Sequence, residues 1–93
     1  MAQEVRLSAK ARICNKLGLH GRASAKLVEA AARFKAEIIV SKDGQSVSAR
    51  SIMGLMLLAA PRGSEVEITA SGFDAKAALT AILALIEAKF GEE

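Results

Sequence analysis

Residues 15–25 read Asn-Lys-Leu-Gly-Leu-His-Gly-Arg-Ala-Ser-Ala, and they separate two segments of different periodicity. Before them, apolar residues alternate with polar ones from Val5 to Ile13, which is the period of a strand with one buried face. After them, apolar residues recur at the spacing of a helix with one buried face. These helical positions are Ala23, Leu27, Ala30 and Phe34. The stretch therefore predicts a strand-to-helix turn that holds His20, the only histidine of the chain.

The remainder of the chain alternates between the same two periods. Asp43-Gly44 is a strong hairpin signal between two short strands, and Pro61 with Gly63 ends a short helix. The predicted strands cover residues 36–42, 46–49 and 65–70, and the predicted helices cover 52–60 and a final stripe ending at Phe90, with Ser51 and Asp74 as N-caps. The order β-α-β-β-α-β-α with one apolar sheet face predicts a two-layer α+β sandwich.

The composition limits the function classes that need to be considered. At 93 residues, we expect one domain that covers residues 1–93. A net charge of +3 with mixed signs is weaker than the clustered positive charge of nucleic-acid binders. One cysteine and one histidine exclude an internal disulfide and a structural zinc site. The first residues lack the pattern of a signal peptide, and the longest apolar run is too short for a membrane span, so we expect a cytoplasmic protein.

His20 is the candidate for covalent chemistry. A helix that begins at Gly21 points its first unpaired backbone N–H groups, and the positive end of its dipole, toward the imidazole. Arg22 adds a permanent cation, and both effects favour a neutral, nucleophilic ring. A nucleophile beside an anion cradle suits a transferable phosphoryl group, with Arg22 and the N–H groups of Gly21 and Arg22 as stabilisers. Neither a carboxylate–metal constellation nor a second catalytic base accompanies it, so a phosphoryl carrier is favoured over a complete enzyme.

Two other interpretations of this turn stay open at the level of the residues. A lone histidine near a turn is most often a surface or capping residue. Gly18-Leu19-His20-Gly21 also has the G-x-x-G spacing of the loop that clamps nucleotide backbones in KH domains. That loop joins two helices and carries Lys or Arg between its glycines, whereas a strand precedes this one. RNA binding through residues 18–21 is therefore the alternative function.

The helix predicted at residues 52–60 is apolar on every side. A small two-layer domain cannot bury a whole helix surface, so part of it should face outward as a docking surface for a partner protein. Met53 and Met56 have the adaptable side chains that such a surface favours. A core helix beneath a loop explains the same composition equally well.

The sequence resembles the histidine-containing phosphocarrier proteins (HPr) of the phosphoenolpyruvate-dependent phosphotransferase system. The resemblance covers essentially the whole chain and rests on two motifs, Gly18-Leu-His-Gly-Arg-Ala-Ser24 and Ser51-Ile-Met-Gly-Leu-Met56. It implies an open-faced β-sandwich in which three helices cover one face of a four-stranded antiparallel sheet. Most family members have Pro-Ala after the arginine, whereas this chain has Ala23-Ser24, which removes a constraint on φ in the first helical turn.

The resemblance also implies roles for individual residues. His20 would accept a phosphoryl group on Nδ1 from enzyme I and pass it to a IIA-type acceptor, with Arg22 as the active-site arginine. Ser51 would be the serine that an HPr kinase/phosphorylase modifies in some lineages, beside a partner-binding patch. That patch consists of Ile52, Met53 and Met56. No cofactor, metal ion or nucleic acid is implied, and a monomer is expected, in either the sugar-uptake branch or, with a slight preference, the nitrogen-related branch.

Overall fold

The computed structural model describes residues 5–92. The chain forms four strands, three α-helices and a final 3₁₀ turn. In chain order these are β1 (Arg6–Arg12), α1 (Gly21–Ala31), β2 (Glu37–Lys42), β3 (Gln45–Ser48), α2 (Ile52–Leu58), β4 (Glu65–Ser71), α3 (Ala75–Glu87) and the 3₁₀ turn Lys89–Gly91. None of the helices within residues 5–92 is both long enough and apolar enough to cross a membrane.

The strands form one antiparallel sheet in the order β1-β4-β2-β3. Along β4, Val66 and Ile68 are buried while Glu65 and Glu67 are exposed, so one face of the sheet meets the helices and the other meets water. The helix α3 packs on β1 and β4, α2 packs on β3, and α1 contacts both other helices. The predicted open-faced α+β sandwich is confirmed.

The hairpin between β2 and β3 follows the sequence closely. Asp43 and Gly44 adopt positive φ values of 50° and 81°. This is the combination that a two-residue turn of type I′ requires, because its twist matches that of the flanking strands. Lys42 therefore pairs with Gln45 directly across the turn, and the prediction from the sequence is confirmed.

Three helix ends differ from the sequence predictions. The first helix ends at Ala31, so Phe34 packs against the core from the following turn. The second helix ends at Leu58 because Ala59 takes a left-handed conformation. The third helix ends at Glu87, and Phe90 reaches the core from the 3₁₀ turn, with a φ of 57° and no exposed surface.

The prediction that Asp74 is the N-cap residue of the third helix is confirmed in its position. Asp74 occupies the N-cap position, but its side chain makes no capping hydrogen bond. Its carboxylate instead accepts from the backbone N–H groups of Lys35 and Ala36, at 2.9 and 2.8 Å. The side chain therefore ties the start of α3 to the loop that enters β2, because these N–H groups need a partner before the strand begins.

Candidate functional site

His20 is the N-cap residue of α1. Its backbone is extended (φ −81°, ψ −175°), and its carbonyl oxygen accepts the first helical hydrogen bond from Ser24 N at 2.8 Å. Its imidazole Nδ1 accepts from the backbone N–H of Arg22 at 3.3 Å. The first N–H groups of a helix have no partner within the helix. His20 therefore holds one ring nitrogen at the positive end of α1, as the sequence predicted.

The loop that carries His20 is fixed against the end of α2. Leu19 N donates to Ala60 O at 2.9 Å. Gly18 has a φ of +66°, and a Cβ atom at this position would lie 2.5 Å from Ala60 O. Only glycine fits here, because a side chain would meet both a strained backbone and a steric clash. The backbone path to His20 is thus determined before the helix begins.

The other ring nitrogen of His20 faces a carboxylate. His20 Nε2 lies 2.6 Å from Glu92 Oε2, and Glu92 Oε1 accepts from Asn15 Nδ2 at 3.0 Å. Asn15 is fully buried and also donates from Nδ2 to Gly18 O at 2.8 Å. Since Nδ1 accepts from Arg22 N–H, the ring fits both contacts when it is neutral and its proton lies on Nε2. The hydrogen-bond partners thereby assign the lone pair to Nδ1.

Glu92 is the residue of this site whose pKa is shifted from its ordinary value. Hydrogen bonds from Asn15 and from His20 hold the pKa of the Glu92 carboxyl below its ordinary value. The positive charge of Lys26 acts in the same direction, while burial opposes it. The carboxylate is therefore the form of Glu92 that fits this environment, and it brings a negative charge to His20 that the sequence analysis did not anticipate.

Phe90 explains how Glu92 reaches His20. The Phe90 side chain is fully buried, and its carbonyl oxygen accepts from Lys26 Nζ at 2.6 Å. Positive φ values at Lys89 and Phe90, both 57°, and at Gly91 turn the chain back toward α1. Sequence reasoning missed Glu92 and Asn15 because glutamate 72 positions from a histidine gives no local signal, and non-glycine residues rarely adopt positive φ.

Cations surround the exposed side of this histidine. Lys16, Arg22 and Lys26 line the cleft beside His20, with Glu92 as the acidic residue of that cleft. Arg22 is exposed, and none of the ion pairs within residues 5–92 involves its guanidinium group. Its charge is available to an anion at the N-terminus of α1. Among residues 5–92, no group of three or more His, Cys, Asp or Glu side chains could hold a metal ion.

Ser51 caps α2 in the way that the sequence predicts. Its Oγ accepts from the backbone N–H of Gly54 at 2.9 Å. Unlike His20, Ser51 makes no second side-chain hydrogen bond among the described residues. Its backbone N–H donates to Ser48 O and its carbonyl accepts from Leu55 N. Its position is accounted for by ordinary N-capping.

The helix α2 presents two faces, which resolves the question of its burial. Leu55 and Leu58 face the core, whereas Ile52, Met53 and Met56 are exposed. Met53 is 69% exposed. Leu57 and Leu17 are also exposed, to 74% and 65%. The sequence did not single them out, because Leu57 lies in a helix that is apolar throughout and Leu17 lies in a turn. We call Leu17, Ile52, Met53, Met56 and Leu57 the α2 patch.

The α2 patch reaches the site of His20. A Cβ atom built on Gly21, the residue after His20, would lie 4.0 Å from Met56 Sδ and Cε. Leu17 also lines the cleft that contains His20. The imidazole is 28% exposed. A partner that covered the α2 patch would therefore meet the imidazole at the border of its footprint.

The comparisons with known proteins decide the family. The model of the PTS-HPr family, described as the PTS HPr component phosphorylation site, matches residues 7–88. The chain belongs to the HPr family. It is similar to the phosphocarrier protein HPr of Cupriavidus necator, with 51% identity over 80 residues, which is 86% of this chain and 90% of that protein. It is also similar to the phosphocarrier protein NPr of Shewanella violacea, with 45% identity over 87 residues, covering 94% and 96% of the two chains.

Solved HPr structures share the architecture. HPr-C-His from Thermoanaerobacter tengcongensis aligns with a TM-score of 0.90 and 44% identity, covering 94% of this chain and 98% of that one. An HPr from the same organism, described as a dimer, aligns with a TM-score of 0.75 and 46% identity, covering 86% and 92%. HPr proteins are phosphocarriers of the phosphotransferase system and not catalysts, and this chain is one of them. Nothing in these comparisons supports the RNA-binding alternative for residues 18–21.

Proposed function

We propose that His20 is the residue that carries the phosphoryl group, and that the group is attached to Nδ1. The observation that carries the proposal is the pair of hydrogen bonds on the ring. Nε2 is engaged by Glu92, while Nδ1 holds the lone pair and points at the first N–H groups of α1. A phosphoryl group on Nδ1 would meet the positive end of an 11-residue helix.

The groups around Nδ1 suit the charge that develops during transfer. Phosphoryl transfer spreads negative charge over three equatorial oxygens, and proteins act mainly by positioning and by stabilising that charge. The N–H groups of Gly21 and Arg22 and the Arg22 guanidinium group would bind these oxygens. The N–H of Arg22 exchanges its bond to Nδ1 for a bond to the phosphoryl group when Nδ1 attacks phosphorus.

We further propose enzyme I as the phosphoryl donor and a IIA-type protein as the acceptor, each docking on the α2 patch. The exposure of Met53 and Leu57 and the position of Met56 beside Gly21 support this, because a carrier must present one surface to both partners in turn. A cytoplasmic monomer is the form in which this surface stays free. Family membership supports the cytoplasmic location.

Ser51 is the proposed regulatory phosphorylation site, for an HPr kinase/phosphorylase. It lies next to Ile52 at the start of the α2 patch. A phosphoserine carries about two negative charges at neutral pH. Those charges would border the apolar footprint and raise the cost of covering it with a partner.

The test is phosphorylation by enzyme I with ³²P-labelled phosphoenolpyruvate, followed by separate acid and alkali treatment of the product. We expect label that is lost in acid and retained in alkali, as for phosphohistidine, and no label on His20→Ala. Thermal unfolding of His20→Ala serves as the control for folding. Acid-labile phosphate on the folded His20→Ala protein would contradict the assignment of His20.

A further inference from the structure

The hydrogen bond at His20 Nε2 continues into a network of two further residues, Glu92 and Asn15. The Glu92 carboxylate receives a hydrogen bond on each oxygen, one from Asn15 and one from His20. Asn15 is fully buried, and its Nδ2 is held by Gly18 O as well. The Glu92 side chain is only 13% exposed. The buried Asn15 therefore fixes the position of the Glu92 carboxylate, and the carboxylate in turn fixes the orientation of the imidazole.

We propose that Glu92 is a positioning residue for phosphoryl transfer through His20, and that Asn15 orients Glu92 for this role. This inference rests on the proposed function of His20. The carboxylate keeps the imidazole proton on Nε2, so that the lone pair stays on Nδ1 and faces the N-terminus of α1. A carboxylate that fixes a histidine tautomer through the distal nitrogen is an established means of preparing the other nitrogen for chemistry.

The charge balance of the transfer step gives Glu92 a second effect. The Nδ1 lone pair forms the bond to phosphorus, and the bond between phosphorus and the donor breaks, leaving its electron pair on the donor. Nε2 keeps its proton, so the ring gains a positive charge while the phosphoryl group brings its negative charges. The positive ring lies 2.6 Å from the Glu92 carboxylate. Glu92 therefore stabilises the phosphorylated ring more than the neutral one, which favours acceptance.

Substitution of Glu92 by glutamine separates this role from a merely structural one. An amide of the same shape has one acceptor oxygen and one donor nitrogen. Both Asn15 Nδ2 and His20 Nε2–H are donors, so the amide can satisfy only one of them. If its oxygen turns to Asn15, its NH₂ group faces Nε2 and favours the ring with its proton on Nδ1. That proton would then face the N–H of Arg22, and the nucleophilic lone pair would be lost from Nδ1.

The matched control is Glu87→Gln. Glu87 is an exposed residue at the end of α3, so this change removes the same charge from the same end of the protein without touching His20. Glu92→Asp keeps the charge and both acceptor oxygens but shortens the side chain by one carbon. We expect it to recover part of the activity that Glu92→Gln loses.

The experiment compares these proteins in two measurements. The first is the ¹⁵N chemical shifts of the imidazole at alkaline pH, which report the tautomer: Nε2–H should dominate in the wild type and Nδ1–H should increase in Glu92→Gln. The second is the steady-state rate of phosphoryl acceptance from phosphorylated enzyme I. We expect kcat of Glu92→Gln to fall on the order of tenfold, with KM unchanged, since a hydrogen bond to a charged group is lost at the ring and not at the α2 patch.

The outcomes distinguish this inference from the proposed function. If the wild type is phosphorylated and Glu92→Gln accepts phosphate at the wild-type rate, the positioning role is wrong while His20 remains the carrier. A loss confined to KM would also overturn it, because it would assign Glu92 to partner docking. If the wild-type protein itself accepts no phosphate from enzyme I, the proposed function fails.

Discussion

His20 and Ser51 occupy equivalent positions on their helices, but their surroundings differ. Each is an N-cap whose side chain accepts a backbone N–H, from Arg22 at 3.3 Å and from Gly54 at 2.9 Å. The imidazole of His20 has a second polar atom, which Glu92 engages, and cations line the adjoining cleft. The Ser51 hydroxyl borders the apolar residues of the α2 patch. Capping alone therefore does not distinguish the two residues, whereas the second ring nitrogen of His20 and its contact with Glu92 do.

The two helices also differ in the kind of surface that they present near their N-termini. The N-terminus of α1 begins an 11-residue helix whose first turn contains an exposed arginine, whereas the 7-residue α2 contains only apolar residues and glycine. An incoming phosphoryl group would find charge stabilisation at α1. At α2, a partner protein would find apolar surface. In the proposed function, the start of α1 would bind the phosphoryl group and the neighbouring α2 patch would bind the partner protein.

After the complete loss of labelling expected for His20→Ala, the largest effect is expected from removing the arginine of α1. Arg22→Ala should slow phosphoryl transfer from enzyme I by about ten- to a hundredfold, because charge stabilisation in the transition state is lost. Thermal stability should stay the same because the side chain is exposed. Rapid-quench measurement of the labelled protein checks the rate.

Arg33→Ala is the matched control for Arg22→Ala, since Arg33 is exposed beyond the other end of α1. The control should transfer phosphate at the wild-type rate. An unchanged rate for Arg22→Ala would show that the guanidinium group takes no part in the transfer. Equal losses of rate in both variants would show that only the net positive charge of the protein matters, and not the position of Arg22.

A negative charge at the start of α2 should affect docking and not the chemistry. Ser51→Asp should weaken binding of enzyme I by about tenfold, because the charge borders a surface that must be desolvated. Isothermal titration calorimetry measures the affinity. Ser46→Asp, on the exposed side of β3, introduces the same charge away from the α2 patch and should bind as the wild type does. Equal affinities for Ser51→Asp and the wild type would leave Ser51 as a cap alone.

Removal of the hydroxyl gives a smaller effect of a different kind. Ser51→Ala should lower the free energy of unfolding by about 1 kcal/mol, the usual cost of losing an N-cap. Phosphoryl acceptance should not change, in contrast to His20→Ala. Urea unfolding followed by circular dichroism provides the measurement. A slower phosphoryl transfer in Ser51→Ala would contradict the claim that the Ser51 hydroxyl caps α2 without taking part in the transfer.

Most of the fold could be predicted from the sequence because its signals are local. The alternation in β1, the Asp43-Gly44 turn and the Ser51 cap each depend on neighbours within a few residues, and the structure has all three. The errors fall at helix ends. Phe90 continues the helical spacing of α3, yet its buried position is reached through left-handed backbone, which tertiary packing imposes against local preference.

The candidate site was predicted only on one side of the ring. His20, Gly21 and Arg22 are adjacent in sequence, so their meeting at the start of α1 follows from the helix itself. Glu92 comes to His20 through the buried Phe90 and the turn after α3. The path of the chain from α3 to Glu92 depends on long-range packing, which the spacing of residues in the sequence does not indicate. The expectation of a ring surrounded by positive charge alone was therefore incomplete.

The smallest expected effect is a change at acid pH in the contact between Glu92 and His20. The pKa of Glu92 is lowered in the folded protein, so the contact contributes fully above its ordinary value of 4.5 and is lost as the pH falls through the lower folded value. The groups that lower the pKa of this carboxyl are the Asn15 amide and the His20 ring, through their hydrogen bonds, and the positive charge of Lys26. The ¹³C shift of the Glu92 carboxyl and the Asn15 amide signals should change together below that ordinary value. A carboxyl that titrates at or above its ordinary value would contradict the network.

The most direct measurement of the central claim is the ¹⁵N–³¹P coupling of the phosphorylated protein, labelled with ¹⁵N in its single histidine. The contacts of His20 predict a one-bond coupling between phosphorus and Nδ1, with the proton still on Nε2. A coupling to Nε2 would contradict the account, because phosphorylation would then occur at the nitrogen that Glu92 engages and away from the N-terminus of α1.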